Sequence, residues 1–566
     1  MSLDPGALNL AWCQRLVAGF VAAGVGDAVI SPGSRSTPLA LALLRAPGLR
    51  VRVVVDERAA AFFALGLAKA GGRPVVVVAT SGSAPANWFP AVVEASQGRV
   101  PLILIAADRP PELQACGANQ TIDQTRLFGS HVRASHALGV PEAGFDPAWL
   151  HRLAAQVVEE SGWPLAGPVF LNQPLREPLL PAIDPPAPAA LPPVAIDHGT
   201  ALPSPSTVAA LAATLSRRPG AIVCGEMPPT PEFAPALAAL AERLDCPVLA
   251  EPLSGVRFGP HDRSRLLVRY EGWLHNSAFT GRHRPAWVLR FGAFPVTRTL
   301  QAFAGSGESC IAVDPAPGWR DPPHRVDRLL RADPAALCAT LAAQPLVAAA
   351  PSWRQAFAAA DEAAQALLPS PAAGEAALLP ALLAALPAAC PLFVGNSMLV
   401  RDLDAFGGSG PQTRHCFGNR GVSGIDGNLS TALGIAAAAG RVVALVGDLT
   451  CQHDLGGLAA ARGLDAVIVV CNNGGGGIFE YLPQAGLAEF QRGWLTPQDI
   501  DFAAAAKTFG LGYGRPTTPA AVAAAVGAAL AAGGPTLLEV PIDRQASVAQ
   551  RQSWLAAIKA ASIPAP

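Results

Sequence analysis

Two short segments toward the C-terminal end carry side chains that could bind one cation together: Gly447-Asp448-Leu449 and Asn472-Asn473. Each segment follows an apolar run that predicts a buried parallel strand. Because ligands in open α/β sheets bind at the carboxyl ends of strands, Asp448 and Asn473 are expected to share one site. A carboxylate and an amide oxygen are ligands that Mg²⁺ prefers, and Mn²⁺ accepts a similar oxygen site.

The glycine run Gly474–Gly477 follows the second segment and lets the backbone come close to a diphosphate. Ile478, Phe479 and Glu480 are expected to start a helix whose N-terminus faces the anion. Taken singly, a Gly-Asp pair is usually a turn, and a glycine run is usually a flexible loop. In this order and at this spacing, the segments resemble the GDG…NN signature of thiamine diphosphate (ThDP) enzymes, with Leu449 in place of the second glycine.

Composition excludes several classes of protein. At 566 residues the chain is too long for one hydrophobic core and suggests three domains. Only 15% of the residues are charged, the net charge is −1, and Lys and Arg form no blocks, which argues against nucleic acid as a partner. The ten cysteines form no CxxC pair and predict reduced thiols of a cytoplasmic protein. The N-terminus lacks the charge order of a secretory signal, and no apolar window is long enough for membrane insertion.

Strand-like runs alternate with amphipathic stretches of helix length along almost the whole chain. Such alternation predicts an α/β fold with doubly wound parallel sheets. Proline is dense between about residues 178 and 205, and a second stretch rich in Ala and Pro covers 341–371. We therefore predict three doubly wound parallel-sheet domains, at residues 1–180, 200–345 and 372–555, with the cation site in the third.

Glu57 is the candidate catalytic residue of the first domain. ThDP becomes a nucleophile when a carboxyl group hydrogen-bonds its aminopyrimidine ring and promotes the imino tautomer, whose nitrogen then takes the thiazolium proton. Glu57 stands just beyond the apolar run 53–55, where a pyrimidine-binding domain should present such a group. The alternative is that Asp56-Glu57-Arg58 is only a solvated cap on the helix predicted to follow.

Several further segments resemble those of the 2-succinyl-5-enolpyruvyl-6-hydroxy-3-cyclohexene-1-carboxylate synthase (MenD) family of ThDP enzymes. The resemblance covers nearly the whole chain, is strong in the first and third predicted domains, and thins in the central, Rossmann-like one. The Gly-Asp-Leu form of the metal motif also occurs in this family. The segments that carry the resemblance are Ser31–Pro38, Asp56–Arg58, Ala79–Ser83, Ala107–Glu112, Gly117–Gln120, Gly395–Ser397 and Asn419–Asp426.

The resemblance implies a transferase of the transketolase-like carboligase type in menaquinone biosynthesis. It implies decarboxylation of 2-oxoglutarate and conjugate addition of the resulting succinyl carbanion equivalent to isochorismate. Both substrates carry carboxylates, which suit the bidentate fork of arginine. The implied substrate-binding residues are Ser34, Arg35, Arg109, Arg298, Arg401 and Arg420, and Gln120 and Ser397 join Glu57 as implied catalytic residues.

The same motifs imply the cofactor contacts. Asp448 and Asn473 would bind Mg²⁺ through their side chains, and Gly475 would bind it through its backbone carbonyl. Ile425 would wedge under the bent ThDP. The remaining implied cofactor-binding residues are Gly447, Gly474, Gly475, Ile478 and Phe479. The resemblance further implies a homodimer or homotetramer, in which the Glu57 domain of one chain meets the Asp448 domain of another.

Some positions leave alternatives open. Where relatives have adjacent basic residues for isochorismate, this chain has Arg298 followed by Thr299, so one anchor is in doubt. His131 and His453 fall in no motif and are expected to be structural. The rival enzyme class is another ThDP-dependent 2-oxo acid carboligase or decarboxylase. The rival outside enzymes is a silent binding protein with a decayed ThDP fold, which the presence of Glu57, Asp448 and Asn473 disfavours.

Overall fold

Three parallel sheets form the framework of the computed structural model, which describes residues 4–369 and 374–563. Each sheet has six strands within these residues, and helices connect the strands. The α/β fold class predicted from the sequence is confirmed. The predicted start of the third domain, residue 372, lies outside the described residues, and the predicted domain limits remain predictions.

The four inner strands of the first sheet are near-continuous buried runs, as expected for parallel strands that are covered on both faces, whereas the edge strands β2 and β5 are partly exposed. Its strands are β1 (Asp27–Ile30), β2 (Arg50–Val53), β3 (Val75–Ala79), β4 (Leu102–Asp108), β5 (Ala134–Ala137) and β6 (Pro168–Pro174). Its helices are α1 (Pro5–Ala22), α2 (Thr37–Leu44), α3 (Glu57–Gly71), α4 (Ser83–Ala86), α5 (Phe89–Gly98) and α6 (Pro147–Gly162). The strand order is β2-β1-β3-β4-β6-β5.

The second sheet has the strand order of a Rossmann domain. Its strands are β7 (Gly220–Cys224), β8 (Val248–Ala250), β9 (Leu266–Leu267), β10 (Trp287–Phe291), β11 (Ser309–Val313) and β12 (Arg328–Leu330). The helices of this region are α7 (Pro205–Leu215), α8 (Phe233–Leu244), α9 (Tyr270–Trp273), α10 (Ser277–Arg282), α11 (Arg298–Ala304), α12 (Pro334–Ala342) and α13 (Pro351–Ala366). The order β12-β11-β10-β7-β8-β9 fits the Rossmann-like domain expected in the middle of the chain.

The third sheet repeats the strand order of the first. Its strands are β13 (Leu392–Val394), β14 (Cys416–Phe417), β15 (Val442–Gly447), β16 (Ala466–Asn472), β17 (Gly512–Gly514) and β18 (Pro535–Pro541). Its helices are α14 (Gly374–Ala385), α15 (Met398–Phe406), α16 (Asn428–Ala439), α17 (Asp448–His453), α18 (Phe502–Phe509), α19 (Pro519–Ala532) and α20 (Arg544–Ala560). The order β14-β13-β15-β16-β18-β17 matches that of the first sheet strand for strand.

The repeated order places a topological switch point between two neighbouring strands of each sheet, β1 and β3 in the first and β13 and β15 in the third. Ligands of open α/β sheets bind in the crevice beyond such strands. The strand β13 leads into Gly395–Ser397, and β15 leads into Asp448. The predicted site residues of the third domain therefore stand where this topology favours ligand binding.

The helices α3 and α16 join the first and third regions at close range. A Cβ atom on Gly66 would collide with the Thr431 carbonyl, and one on Gly434 would collide with the Phe63 carbonyl. Apolar residues from both helices belong to one buried cluster. This packing fixes the first and third regions relative to each other within the chain. Across the described residues no helix combines the length and apolarity that a membrane span requires.

Candidate active site

Asp448 lies at the end of β15 with a buried carboxylate. Its Oδ2 accepts a hydrogen bond from Gly475 N at 2.7 Å, and its Oδ1 accepts one from Leu449 N at 2.9 Å. Burial raises the pKa of Asp448, and these backbone N–H groups oppose that shift. The strands β15 and β16 are hydrogen-bonded neighbours, with Gly447 opposite Cys471, which brings Asp448 beside the loop that follows β16.

Asn473 presents an oxygen suited to a cation. Its Oδ1 is buried and has no hydrogen-bond partner among the described residues, whereas the neighbouring Asn472 donates to Glu539 at 2.9 Å. Burying a polar atom without a partner is unfavourable, so a missing ligand explains it best. The side-chain oxygens of Asp448 and Asn473 fit the hard oxygen set that Mg²⁺ takes. Together with Gly474–Gly476 they form what we call the metal cradle.

Two glycines of the metal cradle adopt a backbone that other residues avoid. Gly474 has φ +73° and Gly475 has φ +130°. A Cβ atom on Gly475 would collide with the Leu495 carbonyl. The Gly475 carbonyl accepts a hydrogen bond from Gly477 N at 2.9 Å. Only glycine therefore satisfies both the conformation and the space at Gly475.

The helix expected after the glycine run differs from the prediction. It is a five-residue 3₁₀ helix, Gly477–Tyr481, in which Ile478 and Phe479 are part-buried. Leu482 is extended and precedes Pro483. Because a residue before proline avoids the α conformation, the turn cannot extend into an α-helix.

Glu57 is the first residue of α3, and Asp56 caps that helix by accepting a hydrogen bond from Ala59 N at 3.1 Å. Helix capping is thus performed by the neighbour of Glu57. Glu57 itself is only part-buried in the single chain, and no hydrogen bond to its carboxylate is found among the described residues. The adjacent Val53 and Val55 are 58% and 77% exposed, so no described residue of this chain packs over them. We call residues 53–57 the Glu57 edge.

Arg35 and Arg109 form a cationic group at the ends of β1 and β4. Arg35 is buried, donates to Glu177 at 2.8 Å and to Leu175 O at 3.0 Å, and keeps a buried Nε without a partner. Burial and the neighbouring Arg35 charge lower the pKa of Arg109. Ser34 beside them is exposed. Two guanidinium groups this close favour an anionic ligand.

Arg401 and Arg420 form a second cationic group, in the third region. Burial lowers the pKa of Arg401, and the Arg420 charge adds to that effect. Arg420 donates to Asn396 Oδ1 at 2.6 Å, while its Nε is buried without a partner. Ser397, the N-cap residue of α15, has φ +68°, a strained conformation of the kind that collects at functional sites.

Comparison with known proteins identifies the family. Residues 13–127 match the N-terminal TPP binding domain of thiamine pyrophosphate enzymes, and residues 407–540 match their C-terminal TPP binding domain. The chain is 54% identical over 539 residues to the 2-succinyl-5-enolpyruvyl-6-hydroxy-3-cyclohexene-1-carboxylate synthase of Dechloromonas aromatica (strain RCB), covering 95% of this chain and 99% of the relative. The chain belongs to this synthase family.

More distant synthases of the same name match over the same extent. The protein of Geobacillus thermodenitrificans (strain NG80-2) is 41% identical over 95% of this chain and 94% of the relative. The protein of Halobacterium salinarum (strain ATCC 29341 / DSM 671 / R1) is 40% identical over 96% of this chain and 97% of the relative. The resemblance stated from the sequence motifs is therefore confirmed.

The exposed predicted residues of the synthase site are less constrained. Ile425 is 36% exposed, and Arg298, at the start of α11, is also exposed. Thr299 donates to Glu271 at 2.6 Å and so takes a structural role. His131 packs edge-on against Phe89.

Ser81 was not among the site residues predicted from the sequence. Its hydroxyl accepts a hydrogen bond from Arg109 and donates to Gln120 O at 3.0 Å, and its carbonyl accepts from Gln120 Nε2 at 3.0 Å. Gln120 is exposed and has φ +53°. Ser81 follows β3 at the switch point of the first sheet, and that position was the signal that could have found it.

Arg544 is a second residue that the sequence did not reveal. As the first residue of α20, it donates to Asn473 O at 3.1 Å and to Glu480 at 2.7 Å. It thereby ties the loop of the metal cradle to the 3₁₀ turn that follows. Arg544 comes from beyond β18, the neighbour of β16, so sheet order rather than sequence spacing brings it here.

Proposed function

We propose that this chain uses ThDP and Mg²⁺ to make 2-succinyl-5-enolpyruvyl-6-hydroxy-3-cyclohexene-1-carboxylate and CO₂ from 2-oxoglutarate and isochorismate, in menaquinone biosynthesis. Similarity to synthases of that product over nearly the full length of both chains carries the proposal. The two cationic groups and the metal cradle supply the charges that two acidic substrates and a diphosphate require.

The metal cradle holds the cation and the diphosphate. Asp448 and Asn473 Oδ1 bind Mg²⁺ through side-chain oxygens, and the Gly475 carbonyl adds a third protein oxygen. Gly474 and Gly447 leave room for the diphosphate, and Ile478, Phe479 and Ile425 contact the rings of the cofactor. When bound, ThDP supplies a carbon nucleophile that attacks 2-oxo acids.

Glu57 would hold the aminopyrimidine ring through a hydrogen bond to its carboxyl group. A carboxyl group can donate a proton to a ring nitrogen and accept one from it, which is the chemistry that the bound cofactor would need from this residue. The absence of a competing hydrogen bond to the carboxylate among the described residues leaves Glu57 free for this task. Asp56 supports it by fixing the first turn of α3.

The arginines bind the carboxylates of the substrates. A guanidinium offers parallel N–H donors that match a carboxylate, and partial burial strengthens that attraction. Arg35 and Arg109 bind one acid group and Arg401 and Arg420 bind another. Arg298 adds a cation from the central region. Ser34, Gln120 and Ser397 complete the set, with Gln120 and Ser397 as catalytic residues beside Glu57.

The site forms between chains, in a homodimer or homotetramer. The exposed Val53 and Val55 beside Glu57 support this proposal, because burying them would stabilise an assembly. Glu57 of one chain would then meet the metal cradle of another. We also place the enzyme in the cytoplasm, which the ten free cysteines support.

The test follows CO₂ release and isochorismate loss in mixtures of the protein, ThDP, Mg²⁺ and 2-oxoglutarate. We expect isochorismate consumption that requires both 2-oxoglutarate and ThDP. CO₂ release that ignores isochorismate would instead indicate another ThDP-dependent carboligase or decarboxylase. Bound ThDP without any turnover would indicate a silent binding protein.

A further inference from the structure

A buried carboxylate of the first region holds a loop of the third. Glu94 on α5 is 2% exposed, and its two oxygens accept hydrogen bonds from Gly421 N and Val422 N, each at 2.8 Å. The partners lie 327 and 328 residues apart in the sequence. Each oxygen of the carboxylate therefore satisfies one backbone donor across a boundary between regions.

The loop that Glu94 holds, residues 420–426, carries Arg420 at one end and Ile425 near the other. It has no regular secondary structure, and Val422 is 49% exposed. A second tether comes from Asn396, which donates to Gly424 O at 2.6 Å and to Asn419 O at 2.8 Å. The path of the loop thus depends on side-chain tethers, and Glu94 is the tether from the first region.

The helix α5 also contacts the loop backbone directly. A Cβ atom on Gly421 would lie 2.5 Å from Glu94 O and 2.6 Å from Gly98 N. This contact allows Gly421 very little displacement toward α5. Because Arg420 precedes Gly421 in the chain, the position of α5 determines where the Arg420 side chain begins.

We propose that Glu94 is a positioning residue of the synthase site, which fixes the 420–426 loop so that Arg420 faces the acid substrate and Ile425 faces the cofactor. The proposal rests on the proposed function for the roles of Arg420 and Ile425. A carboxylate suits this task because it offers two acceptors to two adjacent N–H groups. A carboxamide in its place offers one acceptor and turns an NH₂ group toward the other N–H.

The substitution Glu94→Gln keeps the size of the side chain and removes one acceptor. Arg420→Ala should raise the KM of one acid substrate. We expect Glu94→Gln to raise the KM of that same substrate about tenfold and to change kcat by less than about threefold, in line with one lost buried hydrogen bond. The Kd of ThDP, read from quenching of tryptophan fluorescence, should rise several-fold because Ile425 moves with the loop.

Asp361→Asn is the matched control. Asp361 is a part-buried carboxylate that accepts hydrogen bonds from two successive backbone N–H groups, Val268 N at 3.2 Å and Arg269 N at 2.8 Å, and from Trp273 Nε1 at 3.0 Å. Like Glu94 it holds two adjacent backbone N–H groups, but none of them belongs to the 420–426 loop. We expect Asp361→Asn to lower the Tm at least as much as Glu94→Gln, with no change in the KM of that substrate or in the Kd of ThDP.

A double-mutant cycle separates positioning from general stabilisation. If Glu94 acts through Arg420, Glu94→Gln should add less than about twofold to KM in the Arg420→Ala background, because coupled residues are not additive. A full tenfold addition there, or a Glu94→Gln phenotype confined to Tm, would overturn the proposal. If Glu94→Gln does not fold, Gly421→Ala displaces the loop from its own side and must raise the same KM and the same Kd.

The outcomes remain separable from those of the proposed function. Failure of the wild-type enzyme to consume isochorismate would refute the proposed function alone. The fluorescence measurement of ThDP binding needs no substrate, so it still tests Glu94 in that case. An unchanged ThDP Kd in Glu94→Gln would then refute the positioning role.

Discussion

The metal cradle and the Glu57 edge differ in how much of the proposed site one chain provides. In the cradle, Asp448 is bound to two backbone N–H groups, Gly475 is locked by the Leu495 carbonyl, and Arg544 ties down the loop. At the edge, no described residue donates a hydrogen bond to the Glu57 carboxylate, and Val55 is 77% exposed. The cradle is preorganised by contacts within the chain, whereas the edge is left exposed.

This difference is instructive because the first and third sheets have the same strand order. The same strand order therefore supports two differently built parts of the proposed site. The third sheet ends in the glycines and side-chain oxygens of the proposed anion and cation site. The first sheet ends in a helix whose first carboxylate stays free. A group that must exchange a proton with a cofactor benefits from that freedom.

The largest effect is expected from Asp448→Asn, which breaks the cradle. Replacing the carboxylate with an amide removes the negative charge that attracts Mg²⁺, so turnover should fall by about 10³–10⁴, corresponding to several kcal/mol of lost stabilisation. ThDP binding, titrated at graded Mg²⁺ concentrations, should weaken in parallel. Asp361→Asn, at a part-buried carboxylate of α13, is the control, and equal losses in the two variants would contradict the assignment.

Glu57→Gln should have the next largest effect and tests the edge. The amide keeps the size of the side chain but cannot share a proton with the aminopyrimidine ring, so kcat should fall by about 10²–10³. Binding of ThDP and Mg²⁺ should persist, because the cradle is intact. Calorimetry of ThDP binding beside steady-state kinetics checks this. Normal turnover in Glu57→Gln would contradict the proposed catalytic role of Glu57.

The sequence predicted β15 and β16, because each is an apolar run rich in β-branched residues, and β3 is built in the same way. The strands β9 and β14 carry no such signal, since each has two residues and owes its pairing to neighbours distant in sequence. The short turn at Gly477–Tyr481 was misjudged because Pro483 decides where it ends.

The position of a proposed site residue was predictable where one segment carries both the residue and the strand that precedes it. Asp448 and Asn473 each follow a strand. The rule that ligands bind at the carboxyl ends of parallel strands was enough to predict that they lie together. Ser81 and Arg544 act through hydrogen bonds to residues that lie 28 and 71 positions away. Local patterns do not encode such pairs. The metal cradle therefore rests partly on Arg544, a residue that only the folded chain connects to Asn473.

Val55→Asp should give a smaller loss and tests whether the edge is covered by a partner. A carboxylate buried in an apolar interface is costly, so the assembly should weaken and activity should fall about tenfold or more at low enzyme concentration. Activity should recover as the enzyme concentration rises. Ile183→Asp, at a residue that is 81% exposed, is the control. Sedimentation velocity and activity at matched concentrations provide the measurement, and a fully active monomer would refute the shared site.

Asp454→Asn should have the smallest effect and probes the junction between the first and third regions within the chain. Asp454 accepts hydrogen bonds from Ser430 N at 2.7 Å and Ser430 Oγ at 3.1 Å, and it lies 3.9 Å from Arg58, the residue after Glu57. Burial raises the pKa of Asp454 from its ordinary value of 3.8 to about 6. Since the folded state holds this proton more tightly, the contribution to stability is present below about pH 4 and is lost as pH rises through 6.

Asparagine at this position can still accept from Ser430 N and donate to Ser430 Oγ, and it does not titrate. The Tm of Asp454→Asn relative to wild type should therefore rise by a few degrees between about pH 4 and pH 7, as a group of this kind requires. Thermal unfolding at a series of pH values measures the difference. Parallel curves for the two proteins would mean that the junction is held by packing of α3 on α16 alone, with no electrostatic cost at Asp454.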